Sequence, residues 1–266
     1  MRDERLLPGG HGRAEGPFPS KRGGWSVVGP AASPYPGLHE PTPLDRADLD
    51  ALTQSFTAAA VRALAAGFQV VELHAAHGYL LHQFLSPLSN AREDSYGGDL
   101  EGRMRYPLEV VGAVRDAWPE ELPLFVRISA TDWVEGGWTV DDSVIFAGRL
   151  RALGVDLVDV SSGGNVPDAV ITVGPGYQVP FAARVRREAD VPTAAVGLIT
   201  THEQAEEVLR RGDADAIMIG RAHLEDPYWV KHASAISSPG AVPILQYDRP
   251  DLRGSTTSAT MASPGT

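Results

Sequence analysis

The chain has 266 residues, 43% of them hydrophobic, with 34 acidic side chains, 23 basic ones and a formal charge of −11. A net-negative chain whose basic residues are dispersed is repelled by phosphate backbones and anionic lipid, so nucleic-acid and membrane-surface partners are not expected. The absence of cysteine excludes disulfides, thiolate nucleophiles, iron–sulfur clusters and Cys-based zinc sites.

No stretch approaches the roughly 18 to 20 uninterrupted apolar residues of a membrane span, and MRDERLLPGGHGR carries no apolar signal-peptide core, so a cytoplasmic location is expected. Residues 1–43 are rich in Gly and Pro without helical or strand periodicity and read as an irregular arm. Residues 44–250 read as one α/β domain, and 251–266 as a polar, small-residue tail.

Within the domain one grammar repeats: an amphipathic helix, often a Gly, a short apolar run, then a polar or glycine-rich signature. Asp45 is placed as the N-cap of a helix through Leu49, Leu52, Phe56, Ala60 and Leu64, with Gly67 positioned to end it. Phe68–Leu73 reads as the strand that follows, ending at His74. Met104, Leu108, Val111, Val114 and Trp118 define the next helix, and Leu124, Phe125 and Val126 the next strand, which Arg127 interrupts.

A helix with Phe146, Leu150 and Leu153 leads to a strand over Val155–Val160 and then Ser161-Ser162-Gly163-Gly164. A shorter helix around Phe181–Val185 precedes the strand Thr193–Val196, closed by Gly197. Thr201 and Gln204 form a capping box for a helix through Val208 and Leu209, and the strand Ala216–Ile219 ends at Gly220-Arg221. Five βα units predict a parallel sheet whose C-terminal strand ends bring His74, Arg127, Ser161, Gly197 and Gly220-Arg221 to one face.

Glycines at the last two strand ends allow backbone N–H groups to approach an anion, and Arg221 adds a fork of donors, so a phosphorylated cofactor fits there; turn punctuation is the plain alternative. Arg127 inside an apolar run needs an electron-rich or anionic partner, or else a buried carboxylate such as Asp159. His74 and His77, three apart just past a strand, with Tyr79 two further on, suit donation to one oxyanion. Glu72 and His82 lie nearby but at no recognised metal spacing, and no metal site is expected.

The segment ELHAAHGYLLHQFLSPLSNAREDSYGGDLEGRMRY resembles the signature of the old yellow enzyme family, in its bacterial, thermophilic-like branch. The resemblance continues through LFVRISATDWVEGGW, GVDLVDVSSGGNV, GPGYQVPFA, AAVGLIT and IMIGRAHLEDPYW. It implies a (β/α)8 TIM barrel and an FMN-dependent ene-reductase in which NADPH or NADH reduces FMN and the alkene of an α,β-unsaturated carbonyl compound is then reduced. By that resemblance His74 and His77 hold the substrate carbonyl, and Tyr79 delivers a proton. Arg127, Ser162, Gly197, Gly220 and Arg221 contact FMN, and Arg249 reaches the neighbouring subunit's site in a homodimer or homotetramer.

The resemblance covers strands 4 to 8 of the family barrel, so the fold expected is an N-terminally truncated TIM barrel of about five βα units, with an open edge at each end. Either the first three strands are encoded ahead of Met1, or the chain is a catalytically impaired fragment without turnover. A Schiff-base aldolase is set aside because the only lysines, Lys21 and Lys231, lie at no strand end.

Overall fold

The computed structural model describes residues 26–237, and the N-terminal 25 residues, the tail and Arg249 lie outside the described residues. The chain divides into two compact units, Met1–Gly220 and Arg221–Thr266. None of the helices among the described residues is long and apolar enough to cross a membrane.

In the first unit, β1 (Val28–Gly29) and β2 (Thr42–Pro43) make a short parallel pair, so part of the expected irregular arm is folded. Arg92 fastens it, its Nη1 donating to the carbonyls of Pro30 and Leu44 at 2.9 and 2.7 Å. Five further strands form one parallel sheet in chain order: β3 (Val71–Ala75), β4 (Leu124–Ser129), β5 (Leu157–Ser161), β6 (Thr193–Ala195) and β7 (Ala216–Ile217). Between them run α1 (Arg46–Ala65), α2 (Leu80–Leu85), α3 (Leu100–Ala117), α4 (Val140–Ala152), α5 (Val179–Ala189) and α6 (His202–Arg210). This is the α/β architecture expected of TIM-barrel units, and among the described residues β3 and β7 lie at the two ends of the sheet.

The repeated Gly has a single cause. At the ends of α1, α4 and α6, Gly67, Gly154 and Gly212 adopt φ of +89°, +82° and +72°. Each donates its N–H to a carbonyl three residues back (Leu64, Arg151, Leu209), and the next N–H reaches back five, to Ala63, Leu150 and Val208. This 6→1, 5→2 pattern satisfies carbonyls that the helix end leaves open, and the left-handed residue it needs is most cheaply Gly. The starts are equally local: α1, α4 and α6 each begin at a capping box, Asp45 with Asp48, Thr139 with Asp142, and Thr201 with Gln204.

Side chains alternate across the sheet. Leu73, Ala75, Leu124, Val126, Ile128, Val158, Val160 and Ala195 are buried on the side that α4 and α5 contact. The opposite face presents, in register, His74 beside Arg127, Arg127 beside Asp159 and Asp159 beside Ala194. Two residues further along, Ser129 pairs with Ser161 on that same face.

Some strand limits differ from the sequence expectation. The first was read as Phe68–Leu73, but Phe68 and Val70 are 61% and 42% exposed, and pairing begins only at Val71, opposite Leu124. His74 therefore lies inside β3. The third was read as starting at Val155, whose N–H instead completes the C-terminal turn of α4. β6 and β7 are shorter than Thr193–Val196 and Ala216–Ile219. Helix α2, formed by LLHQFL, was not anticipated.

The second unit contains α7 (Arg221–Glu225) and α8 (Trp229–Ser237). Asp226 joins them, accepting the Tyr228 N–H at 3.0 Å and lying 2.6 Å from His232 Nδ1.

Candidate functional site

The end of β3 carries a dense polar cluster on the face that also presents Arg127 and Asp159. After Ala75 the chain turns through His77 and Gly78, both left-handed at φ +59° and +74°, and enters α2 at Tyr79. The turn brings the His74 ring to 5.2 Å from both the His77 ring and the Tyr79 ring, centroid to centroid, tilted by 47° and 52°. The three residues named from spacing thus meet at one point.

Neighbouring strands hold this turn. The His77 N–H donates to Ser129 Oγ at 2.9 Å, and Ser129 Oγ donates to the Gly163 carbonyl at 2.7 Å. His77 Nε2 lies 2.6 Å from Ser161 Oγ. Gly78 packs so closely on the next loop that a Cβ there would stand 2.4 Å from the Gly164 carbonyl oxygen. Gly78, Ser129 and Ser161 therefore belong to the site. Only Ser161 had been placed there from the sequence, since the other two show their role once strand register is known.

In register with His74 runs a charged row across the neighbouring strands. Arg127 Nε is 3.1 Å from Asp159 Oδ2, with Asp159 fully buried and the Arg127 side chain 26% exposed. The carboxylate alternative weighed for Arg127 is therefore realised. The contact is an ion pair without a hydrogen bond, since Arg127 Nε and both Asp159 carboxylate oxygens are buried without a hydrogen-bond partner among the described residues, so the guanidinium still lacks an acceptor and suits an electron-rich edge. Burial pushes the Asp159 carboxyl up to about 7, against the pull of Arg127 and with the repulsion of Glu72. Burial, and then the positive charge of Arg127, lower His74 to about 4, so its imidazole is neutral at neutral pH.

The remaining candidates are placed unequally. Ser162 Oγ is buried and donates to Gln178 Oε1 at 2.5 Å, and Gln178 also receives Ser161 Oγ at 3.3 Å. Gly197, at φ +123°, lies where a Cβ would press on Gln178 Nε2 and Tyr177, and its carbonyl accepts the Gly176 N–H at 2.7 Å. Gly220 is open, with nothing within 4 Å of a Cβ position. Arg221 begins the second unit. A cavity of about 410 Å³ adjoins the turn, lined by Tyr35, Gly78, Gln83, Ser89, Asn165 and neighbouring residues.

The parallel α/β sheet carries its paired imidazoles, tyrosine and arginine at or near the C-terminal strand ends, the face on which barrel enzymes place their active sites. The chain belongs to the NADH:flavin oxidoreductase / NADH oxidase family, which it matches over residues 32–236. It is 51% identical over 225 residues to an NADPH dehydrogenase of Geobacillus thermodenitrificans, covering 84% of this chain and 65% of that protein. It is 48% identical over 196 residues to an NADPH dehydrogenase of Bacillus subtilis, covering 74% and 57%. The chain thus spans less than two thirds of the length of these relatives.

Among solved structures it resembles an old yellow enzyme homologue of Zymomonas mobilis, with a TM-score of 0.69 and 26% identity over 86% of this chain and 66% of that one. It also resembles morphinone reductase in complex with tetrahydroNAD, with a TM-score of 0.67 and 26% identity over 81% and 61%.

Proposed function

We propose that this chain carries the substrate-polarising and flavin-facing part of an FMN-dependent NAD(P)H oxidoreductase that reduces the C=C bond of enones and enals. The observation that carries the reading is the meeting of His74, His77 and Tyr79 beside Arg127, the register partner of His74. The dehydrogenase names of the relatives and the tetrahydroNAD complex of morphinone reductase support a nicotinamide reductant.

FMN bound against Arg127 would supply hydride transfer through N5, taking hydride from NADPH or NADH and giving it to the β-carbon. The guanidinium suits the pyrimidine edge, where negative charge develops on reduction, and Asp159 keeps Nε aligned. By the family reading Ser162, Gly197 and Gly220, and Arg221 of the second unit, are each assigned to FMN.

His74 and His77 hold the substrate carbonyl oxygen. A neutral His74 is a hydrogen-bond donor that does not surrender its proton, as polarisation of a carbonyl requires. Ser161 Oγ has one proton, directed either to Gln178 Oε1 at 3.3 Å or to His77 Nε2 at 2.6 Å; when Ser162 alone serves Gln178 and Ser161 donates to His77 Nε2, the other nitrogen of that ring keeps its proton and donates to the same carbonyl oxygen of the substrate. Tyr79, one residue past the turn, holds the proton for the α-carbon. Arg249 is assigned to the site of a second subunit in a homodimer or homotetramer.

A second reading, that the signature persists without turnover, draws on the sheet, whose strands β3 and β7 each have one neighbour among the described residues. Titration of the purified chain with FMN, followed by bleaching with NADPH and reoxidation by cyclohexenone, decides between them. Saturable one-to-one binding with turnover, lost by about 100-fold or more in His77→Ala, supports the enzyme. A folded chain that leaves FMN fluorescence unchanged overturns it.

A further inference from the structure

One fully buried titratable pair has no part in that chemistry. His82, in α2, and Asp132, in the loop after β4, both have zero side-chain exposure and sit with His82 Nε2 3.1 Å from Asp132 Oδ1. The other ring nitrogen of His82, Nδ1, accepts the N–H of Gly78 at 2.9 Å. An atom that accepts from a backbone amide carries no proton, so the proton of a neutral His82 is on Nε2, facing Asp132.

Asp132 is itself held: its Oδ2 accepts from Ser86 Oγ at 2.6 Å and from the Trp138 N–H at 2.9 Å. Burial alone would raise its carboxyl, but the close contact with His82 and the bonds from Ser86 and Trp138 outweigh burial and keep it below the ordinary value, so it is an anion opposite Nε2. Burying a histidine and a carboxylate is costly unless each has a defined partner, and here the far end of the chain of partners is the amide of Gly78. That amide belongs to the left-handed turn separating His77 from Tyr79.

We propose that His82, oriented by Asp132, is a positioning residue: by fixing the Gly78 amide it holds the left-handed turn at His77–Gly78 and so sets the angle at which His74, His77 and Tyr79 face a substrate oxygen. The proposal rests on the functional reading above for its kinetic consequence, but its structural content stands on the turn alone. Residues so placed matter because a displacement of about 1 Å at a reacting centre can cost about 100-fold in rate.

Two buried substitutions separate the two ends of His82. In His82→Asn the amide oxygen takes the place of Nδ1 and can accept the Gly78 N–H. In His82→Gln the longer side chain reaches towards Asp132 and leaves Gly78 without its acceptor. In the full chain labelled with 15N-histidine, the imidazole resonances of His74 and His77 are expected to stay at their wild-type positions in His82→Asn and to move in His82→Gln. With FMN bound, kcat for cyclohexenone is expected to fall about 10- to 100-fold in His82→Gln, with KM changed less than threefold, and to stay within about threefold in His82→Asn.

His74 and His77 resonances unmoved in His82→Gln overturn the proposal. So does equal loss in both variants in step with their melting temperatures, which is the pattern of a damaged core. The expected resonance pattern in a wild-type chain without turnover supports the positioning role and removes the enzymatic reading instead.

Discussion

Gly78 and Gly98 share a φ of +74°, yet only Gly78 has a neighbour against its missing Cβ, the Gly164 carbonyl oxygen. Gly98→Ala meets the left-handed backbone cost alone, about 1 kcal/mol, whereas Gly78→Ala adds overpacking and is expected to cost about 3 kcal/mol in urea unfolding. Equal losses would mean that the 164 loop yields freely. The charged row gives a second test, because its two shifted groups act in opposite directions. Asp159, pushed up to about 7 from 3.8, holds a proton in the folded state that the unfolded chain releases, so its contribution to stability falls as pH rises from about 4 to 7. His74, lowered to about 4 from 6.5, leaves the unfolded chain holding the extra proton, so its contribution rises with pH between about 4 and 6.5. Relative to wild type, Asp159→Asn is expected to gain urea midpoint from pH 4.5 to pH 8, and His74→Gln to lose it. Curves parallel to wild type would show neither group to be shifted. His74, His77 and Tyr79 were legible in the sequence because six residues hold them all. The bonds from His77 to Ser161, 84 positions away, and from His82 to Asp132 depend on strand register and loop packing, which no local pattern encodes.

At the scale of elements, α1 and α6 were legible from local chemistry at their ends, Asp45 and Gly67 for α1 and the Thr201–Gln204 capping box for α6, whereas α3, α4 and α5 were legible from apolar periodicity. Helix α6 is the most dependent on its ends: it has nine residues and buries only Ala205 and Val208, so little packing would compensate for a lost cap. Thr201→Ala removes the acceptor of the Gln204 N–H and is expected to cost about 1 kcal/mol, read as faster hydrogen exchange confined to the amides of α6. Exchange that accelerates equally in α1 would show global loss of stability instead. Strand limits were less legible. Phe68 and Val70 have strand-like composition, but pairing starts only where β4 offers a partner at Leu124, and composition does not tell where a neighbour begins. LLHQFL was missed as helix α2 because it is six residues long and apolar on nearly every side, which leaves no periodicity to detect.

At the scale of the whole first unit, the five-stranded sheet ends at β3 and β7, each of which has one strand neighbour among the described residues. Beside β3 the chain presents Val61, Phe68 and Val70 to solvent, each more than 40% exposed. A strand edge with unpaired backbone groups and adjoining apolar side chains recruits other chains, and charged residues are a common means by which proteins blunt such edges. The chain's formal charge of −11 opposes association at long range, but at physiological salt that repulsion is screened beyond about 8 Å, so short-range apolar and backbone pairing dominates at contact. The chain is therefore expected to sediment as concentration-dependent oligomers, with higher salt increasing their share. The double substitution Phe68→Lys with Val70→Lys is expected to shift the distribution towards monomer while leaving the melting temperature within a few degrees, because both side chains are already largely exposed. A distribution that the substitutions leave unchanged would place the association elsewhere than this edge. The two edges are then distinguishable: β7 contributes only Ala216 and Ile217 to its ladder, so β3, with five paired residues, is the longer template and the one whose blunting should matter more.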